Sequence, residues 1–377
     1  MSSSDESAVA RDRNHCGLNI RKSDPGDCII ALAGNPNVGK STVFNSLTGL
    51  RQHTGNWPGK TVVNAQGKYR YKDKEFTIVD MPGTYSLMAN STEEEIARDF
   101  ICFGEPDVTV VVVDATCLER NLNLALQTME IADKVVLCVN LLDEAKKKKI
   151  RVDLDLLSSK LGVPVVGTSA RSGDGLDALM DSIDRAVKCK KKSRPLRITY
   201  GDEIEQAVSI LEPAVKNVLR GCANSRWATL RLLDGDKNLL ASLKEYLGLD
   251  ILEDEQIAAR LAEANEVLER HGISQDLFRD QVVTWIMRAC ESISREVVTV
   301  ENEQYQTRDR KIDKILTSKL TGIPIMLLML FGIFWFTITG ANVPSSLLAD
   351  ALFSLIEPLS AFFVTASAPE WLSGLLI

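Results

Sequence analysis

The sequence predicts a three-part chain: an α/β domain built on a mostly parallel sheet with an antiparallel edge strand, an all-α helical domain, and a transmembrane helical segment. Three observations carry this. From Cys28 to about residue 190, short apolar β-branched runs alternate with helix-length segments, the pattern of buried parallel strands. From 202 to 300 that signal stops, and apolar residues recur three and four apart, as in "IEQAVSILEPAVKNVL" and "QVVTWIMRACESI", as helices require. Residues 321–340, "TGIPIMLLMLFGIFWFTITG", carry no charge, and about 20 such residues cross ~30 Å of hydrocarbon at ~1.5 Å per residue.

Taken in order, residues 1–26 are polar and aperiodic and read as a disordered tail. Residues 27–190 form the α/β domain, with "CIIALA", "FTIVD", "VTVVVVDA", "VVLCVN" and "VPVVGTSA" as its strands. The segment "TVVNAQGKYRYKDKEFTIVD" breaks the alternation and reads as two adjacent strands turning at Lys72 and Asp73, the antiparallel edge. After the basic stretch "KCKKKSRP", the helical domain fills 191–300. Residues 301–320 form a basic juxtamembrane helix or linker. Its Arg308, Arg310, Lys311, Lys314 and Lys319 place everything before it on the cytoplasmic side. The spanning helix covers 321–341, and 342–377 stays apolar, the start of a membrane part that continues beyond this sequence.

Composition excludes some functions. The formal net charge of −7 disfavours a general nucleic-acid binder, which needs a basic face. Eight scattered cysteines without a C-x-x-C pair fit reduced thiols in the cytosol. The three histidines, His15, His53 and His271, are too dispersed for a histidine metal centre.

The chemistry lies in four motifs at strand ends. "GNPNVGKST" holds Gly34, Gly39, Lys40 and Ser41 in the G-x-x-x-x-G-K-[ST] pattern between a strand and a helix. The loop of Gly34, Asn35, Pro36, Asn37, Val38 and Gly39 can turn backbone N–H groups around phosphates. Lys40 can reach the β- and γ-phosphates, and Ser41 can offer its hydroxyl to Mg²⁺. "DMPG" sets Asp80, Met81, Pro82 and Gly83 at a second strand end, with Asp80 toward Mg²⁺ through water and Gly83 toward the γ-phosphate. "NLLD" sets Asn140, Leu141, Leu142 and Asp143 at a third. A carboxylate there accepts from the N1–H and 2-amino group of guanine, and adenine offers neither. "TSA" (Thr168, Ser169, Ala170) can brace the base through backbone N–H.

That order implies an α/β P-loop GTPase domain binding GTP and GDP. Between the first two motifs such a domain needs a mobile threonine to complete the Mg²⁺ shell and sense the γ-phosphate. Thr61 is the first choice and Thr54 the second, with Gly59, Lys60, Val62 and Val63 flanking the nucleotide. Trp57 reads equally well as a cap over the site or as a packing residue.

On these residues the sequence resembles the ferrous iron transport protein B (FeoB) family, through "GNPNVGKSTVFNSLTG", "TGNWPGKTV", "DMPGTYSL", "NLLD", "SRWATLRLLDGD" and "DKILTSKLTGIPI", over roughly residues 28–341. The resemblance implies a G domain, a helical domain that modulates nucleotide release, and a membrane part that moves Fe²⁺ inward across the cytoplasmic membrane of a prokaryote. It implies Mg²⁺-dependent, K⁺-stimulated GTP hydrolysis carried by Thr61, Asn35 and Lys40. Ser41, Thr61 and Asp80 would hold Mg²⁺; Asn35, with the backbone carbonyls of Gly55 and Trp57, would hold K⁺, although Asn35 reads also as a brace for the turn before Pro36. The implied partners are guanine nucleotide, the lipid bilayer, the rest of the transport domain and a small cytosolic accessory protein; self-association stays open.

Three positions depart from better-known GTPases. Thr84 follows "DMPG" where Ras-like proteins carry the glutamine that orients water, so hydrolysis should be slow. Leu141 replaces a common lysine, so base stacking should be weaker and exchange quicker. Val63 replaces an acidic residue that often follows the family threonine. Among smaller signals, Ser91 and Glu94 read as a capping box, "AKKKK" at 145–149 as a solvated loop, and Asp234, Gly235 and Asp236 as a turn after core leucines. The competing readings are a membrane-tethered signalling GTPase without a transport role and a soluble GTPase of ribosome assembly.

Overall fold

The computed structural model describes residues 27–49, 52–57, 62–88, 91–189, 195–248, 250–300 and 315–365. They fall into two units, residues 1–301 and 302–377.

In the first unit seven strands form one sheet. Their spatial order is β2 (Gln52–Asn56), β3 (Val63–Tyr71), β4 (Lys74–Asp80), β1 (Cys28–Gly34), β5 (Val108–Asp114), β6 (Val135–Asn140) and β8 (Val165–Gly167). β4, β1, β5, β6 and β8 run parallel. β3 turns back from β4 at Lys72 and Asp73, and β2 adds a second antiparallel strand outside it. The expected antiparallel edge is therefore present but one strand wider, because "QHTGN" carries no apolar alternation to announce it. β1 and β6 are buried along their whole length, since helices cover both faces.

On one face, α1 (Lys40–Thr48) and α6 (Leu176–Lys188) pack Phe44, Leu47, Leu179 and Ile183 against Ile30, Val110 and Val136. The other face carries α2 (Thr92–Phe103), α3 (Leu118–Ile131) and α5 (Leu154–Leu161). α2 starts where the capping box placed it: the Ser91 hydroxyl accepts from the Glu94 N–H at 3.2 Å.

The helical region comprises α7 (Asp202–Leu219), α8 (Ser225–Leu233), α9 (Lys237–Leu247), α10 (Glu255–Arg270) and α11 (Gln275–Val297). Its core is continuous with that of the sheet's second face. α3 makes the join. Leu118, Leu122, Leu124, Ala125, Leu126 and Met129 are all buried, an apolar face wide enough to meet both the sheet and the helices that follow residue 200. A short ladder closes the unit: β7 (Ile150–Val152), reached through α4 (Leu142–Lys147), pairs antiparallel with β9 (Val298–Val300) at the end of α11. The sequence reading had no strand beyond residue 190, and three-residue runs are too short to show alternation.

Buried charge pins the two regions together. Arg98 of α2 has no solvent exposure. It donates to the Asp99 carboxylate at 2.9 Å and to the Ser242 hydroxyl of α9 at 3.0 Å, and lies 3.6 Å from Asp236, which caps α9. Burial raises the Asp99 carboxyl above the usual range despite Arg98 beside it. Elsewhere on this seam, the Tyr200 hydroxyl donates to Glu130 of α3 at 2.5 Å, and Arg226 bridges Glu205 and the Ile198 carbonyl. The 234–236 segment is more than a turn: the buried Asp234 carboxylate accepts from Arg231 at 2.9 Å and Arg279 at 3.0 Å.

The second unit is dominated by α12 (Lys319–Thr365), 47 residues, whose stretch Leu320–Ile356 is long and apolar enough to cross a membrane. The expected end of the span at 341 falls inside this helix, which continues through Pro344 and Pro358. The disordered tail expected at 1–26 lies outside the described residues.

Replacing Arg98 leaves two carboxylates without their cation in a dry seam, and breaking a buried pair this way costs about 3–5 kcal/mol. Arg98→Met should lower the urea unfolding free energy by that order, and Arg98→Met combined with Asp99→Leu should recover much of it. A single-mutant loss below about 1 kcal/mol would show that the cluster is solvated instead.

Candidate functional site

Four loops leave the carboxyl ends of β1, β4, β6 and β8 side by side, the edge at which open α/β sheets bind ligands. The first, Asn35–Gly39, needs its glycines for two different reasons. A Cβ on Gly34 would sit 2.8 Å from the Val112 carbonyl oxygen of the adjacent strand. Gly39 has φ 82°, left-handed, and a Cβ there would meet the Asn140 amide nitrogen at 2.4 Å. Gly39 caps α1 without a side-chain hydrogen bond, so the N–H groups of the first turn face outward, the arrangement that receives anions.

Lys40 is only 8% exposed. Its ammonium group donates to the Asp80 carboxylate and to the Met81 carbonyl at 2.6 Å. Burial raises the Asp80 carboxyl above the usual carboxylate range, and Lys40 offsets part of that. Ser41 is exposed on the same turn. Asn35 is 3% exposed, and both its Oδ1 and Nδ2 are buried with no hydrogen-bond partner among the described residues. A buried amide left unpaired costs about 1–3 kcal/mol; a brace for the turn would have been bonded to it. After β4, the Thr84 N–H donates to the Gly34 carbonyl at 3.3 Å and Thr84 is buried, while Pro82 is half-buried and Gly83 exposed beside Pro36.

The third and fourth loops are held by one side chain. Asn140 is 1% exposed. Its Nδ2 donates to the Val38 carbonyl at 3.0 Å, and its Oδ1 accepts from the Thr168 hydroxyl at 3.1 Å and the Ala170 N–H at 3.0 Å. Asn140 therefore joins the loops through three of its four hydrogen-bonding positions, beside Asp143. Leu141 adopts φ 62°, a conformation disfavoured for a branched residue, and turns the chain so that α4 begins at Leu142. The Leu142 N–H donates to Thr168 O and the Asp143 N–H to the Ser169 hydroxyl at 3.2 Å. That leaves the half-buried Asp143 carboxylate, 4.0 Å from Lys147, able to accept from outside. Beneath this pocket, Cys138 touches the Thr168 hydroxyl at 3.2 Å, and burial pushes its thiol up to about 12, so it stays protonated.

In the segment between the first two motifs, Thr54 and Gly55 lie on β2 opposite Ala65 and Asn64, and Val63 opens β3 opposite Asn56. Val62 packs on the core and its carbonyl accepts from the Trp57 N–H at 2.9 Å. Trp57 is 2% exposed with an edge-on contact to Phe100 at 5.4 Å, so it packs and does not cap the site. Gly59, Lys60 and Thr61 lie outside the described residues.

Sequence reasoning missed Asn123 and Gln127. Gln127 Oε1 accepts from the Leu87 N–H at 2.7 Å and the Ser86 hydroxyl at 3.1 Å, while Asn123 Nδ2 donates to the Tyr85 carbonyl at 3.0 Å. They clamp the segment after "DMPG" onto α3. Two amides four residues apart, hence on one face of the helix, were the available signal.

The chain matches the model of the ferrous iron transport protein B N-terminal region over residues 28–183 and that of the FeoB cytosolic helical domain over 200–299. It is 37% identical over 320 residues to the "Fe(2+) transport protein A/Fe(2+) transporter FeoB fusion protein" of Porphyromonas gingivalis, covering 84% of this chain and 37% of that protein. The chain thus spans less than half the length of the curated relatives it matches. A point mutant of S. thermophilus NFeoB bound to GDP superposes with TM-score 0.61 at 30% identity, covering 72% of this chain and 100% of that one. The cytosolic domain of the T. maritima FeoB iron transporter in its GMPPNP form does so with TM-score 0.57 at 32% identity, covering 72% and 99%.

Asn140→Ala should destabilise the ligand-free protein by about 3 kcal/mol, because it strips partners from the buried groups at Val38, Thr168 and Ala170. Urea unfolding gives the size, and hydrogen exchange should show residues 168–170 losing protection first. Unchanged protection there would remove Asn140 from the role of joining the loops.

Proposed function

The chain belongs to the ferrous iron transport protein B family, and from that premise we propose that its first unit binds and slowly hydrolyses GTP on behalf of a membrane part that carries Fe²⁺ inward. The observation that carries this reading is the Asn140 bridge. It fixes the phosphate loop to the base loops while leaving the Asp143 carboxylate open, so the site accepts a phosphate chain and a guanine edge at a set separation. The GDP and GMPPNP forms of the two structural relatives support the same ligand class.

In this reading Lys40 is parked on Asp80 and the Met81 carbonyl until phosphate oxygens replace them. Asp80, relieved of Lys40, would hold Mg²⁺ together with the Ser41 hydroxyl and Thr61; hard oxygen donors suit that ion, and a raised carboxyl is a group that gains from a nearby cation. Bound Mg²⁺ would neutralise charge on the phosphate oxygens. The two unpaired polar atoms of Asn35 fit a further ligand, and its amide oxygen suits K⁺, with Gly55 and Trp57 supplying carbonyls; such an ion stabilises developing charge. Thr84 is buried where Ras-like proteins carry the water-orienting glutamine, so Thr61 and backbone groups position the water, and turnover is slow. Lys40 and the first-turn N–H groups of α1 orient the β- and γ-phosphates.

α12 is the first membrane segment, with residues 1–320 cytosolic and the helical region, 191–300, tuning nucleotide release through the core shared on α3. The fusion of a transport protein A to the P. gingivalis relative supports a small accessory protein as partner. An apolar helix of this length argues against a soluble ribosome-assembly role.

Two measurements test this. Calorimetry should show GDP binding with ADP silent. Asp143→Asn should weaken GDP at least about 100-fold, since each hydrogen bond to a charged acceptor contributes about 1.5–3 kcal/mol, and should move preference toward xanthine nucleotides, whose 2-oxo group accepts from the new amide. Equal binding of GDP and ADP by the unaltered chain sinks the assignment. For the cation, turnover should rise when K⁺ replaces Na⁺, and Asn35→Ala should bring the two rates together; identical rates before mutation would exclude K⁺ from Asn35.

A further inference from the structure

The lysines at 146–149 remain unexplained by the nucleotide site. Lys146 and Lys147 end α4, and Lys148 and Lys149 form the turn after it, with Lys149 at φ 56°. All four are exposed. Glu144 takes Lys147 at 2.9 Å, whereas Lys146, Lys148 and Lys149 have no carboxylate within 4.0 Å among the described residues. Unneutralised positive charge concentrated in one turn runs against the chain's net charge of −7. A solvated loop needs no such concentration.

Position supplies the second observation. Ile150, the next residue, pairs with Val300 across the β7–β9 ladder. Val300 is where the first unit hands the chain to the basic segment that runs into α12. The lysine turn is thus fixed beside the point of exit toward an apolar helix of membrane-crossing length, where a tether concentrates it near any surface that helix enters.

We propose that Lys146, Lys147, Lys148 and Lys149 form a docking face for the anionic headgroups of the membrane that receives α12. Positive charge near a negative leaflet contributes by attraction alone, raising occupancy roughly fivefold per lysine, and needs no fitted pocket. Nucleic acid and acidic proteins share the charge but not the location. The proposal rests on the membrane reading of α12.

A native thiol permits the test. Cys117 is exposed in the turn Ala115–Cys117, which packs against α4 and β7. The 377-residue chain, with Cys16, Cys189 and Cys222 changed to Ser and a fluorophore on Cys117, is reconstituted into phosphatidylcholine vesicles with or without phosphatidylglycerol. Lipids carrying a headgroup quencher report approach. The expected result is severalfold stronger quenching in the anionic vesicles, lost at high salt and lost in the variant Lys146→Gln, Lys148→Gln, Lys149→Gln. Flotation after an alkaline wash reports insertion separately. Chain that floats with both vesicle types but is quenched equally in them overturns the docking face and spares the membrane reading. Chain that floats with neither overturns both. Quenching unaltered in the triple variant, or lysine-dependent retention of RNA without any lipid dependence, also overturns it.

Discussion

A fully desolvated amide side chain has four hydrogen-bonding positions to satisfy, and Asn140 fills three of them on two different loops. The carbonyl of Val38, the hydroxyl of Thr168 and the N–H of Ala170 are thereby placed by one short, rigid side chain. The Ser46 hydroxyl, donating to the Ala170 carbonyl at 3.1 Å, repeats the link from α1. Shape in this site is therefore settled before a ligand arrives, and the binding energy need not be used to assemble it.

Charge in the site is settled differently. Lys40 and Asp80 lie in a pocket where neither could remain ionised alone, and each is the other's partner while no ligand is present. On the proposed function, an incoming polyanion would exchange one counter-charge for another without exposing the ammonium to water. The same exchange frees a carboxylate whose burial already disfavours its being alone. Shape held by Asn140 and charge held by Lys40 are thus separate devices, on separate loops, that meet at α1.

The parts of this fold legible in the sequence were those written in local pattern. β1, β5 and β6 are continuous apolar runs, Ser91 caps α2, and each nucleotide motif falls at the end of its strand. The illegible parts depend on partners far away in the chain. β2 is polar and exists because β3 offers it an edge; β7 and β9 are separated by well over a hundred residues. The width of the buried face of α3 depends on helices that follow residue 200. That Asn140 also bonds to Val38, Thr168 and Ala170 was not legible, because its type and position say nothing of partners so far along the chain. Asn123 and Gln127 were hidden for a different reason, since polar residues on a helix usually mean solvent.

The ladder of β7 with β9 has a mechanical meaning as well. Three residue pairs join the end of α11 to a strand that begins just past the helix bearing Asp143. Tension on the polypeptide beyond Val300 is borne first by this small patch of backbone, and Ile150 passes the strain along a few covalent bonds to α4. A pull from the later part of the chain would thus reach Asp143 before it disturbed the loop at Asn35–Gly39, making the Asp143 end of the site the force-sensitive one.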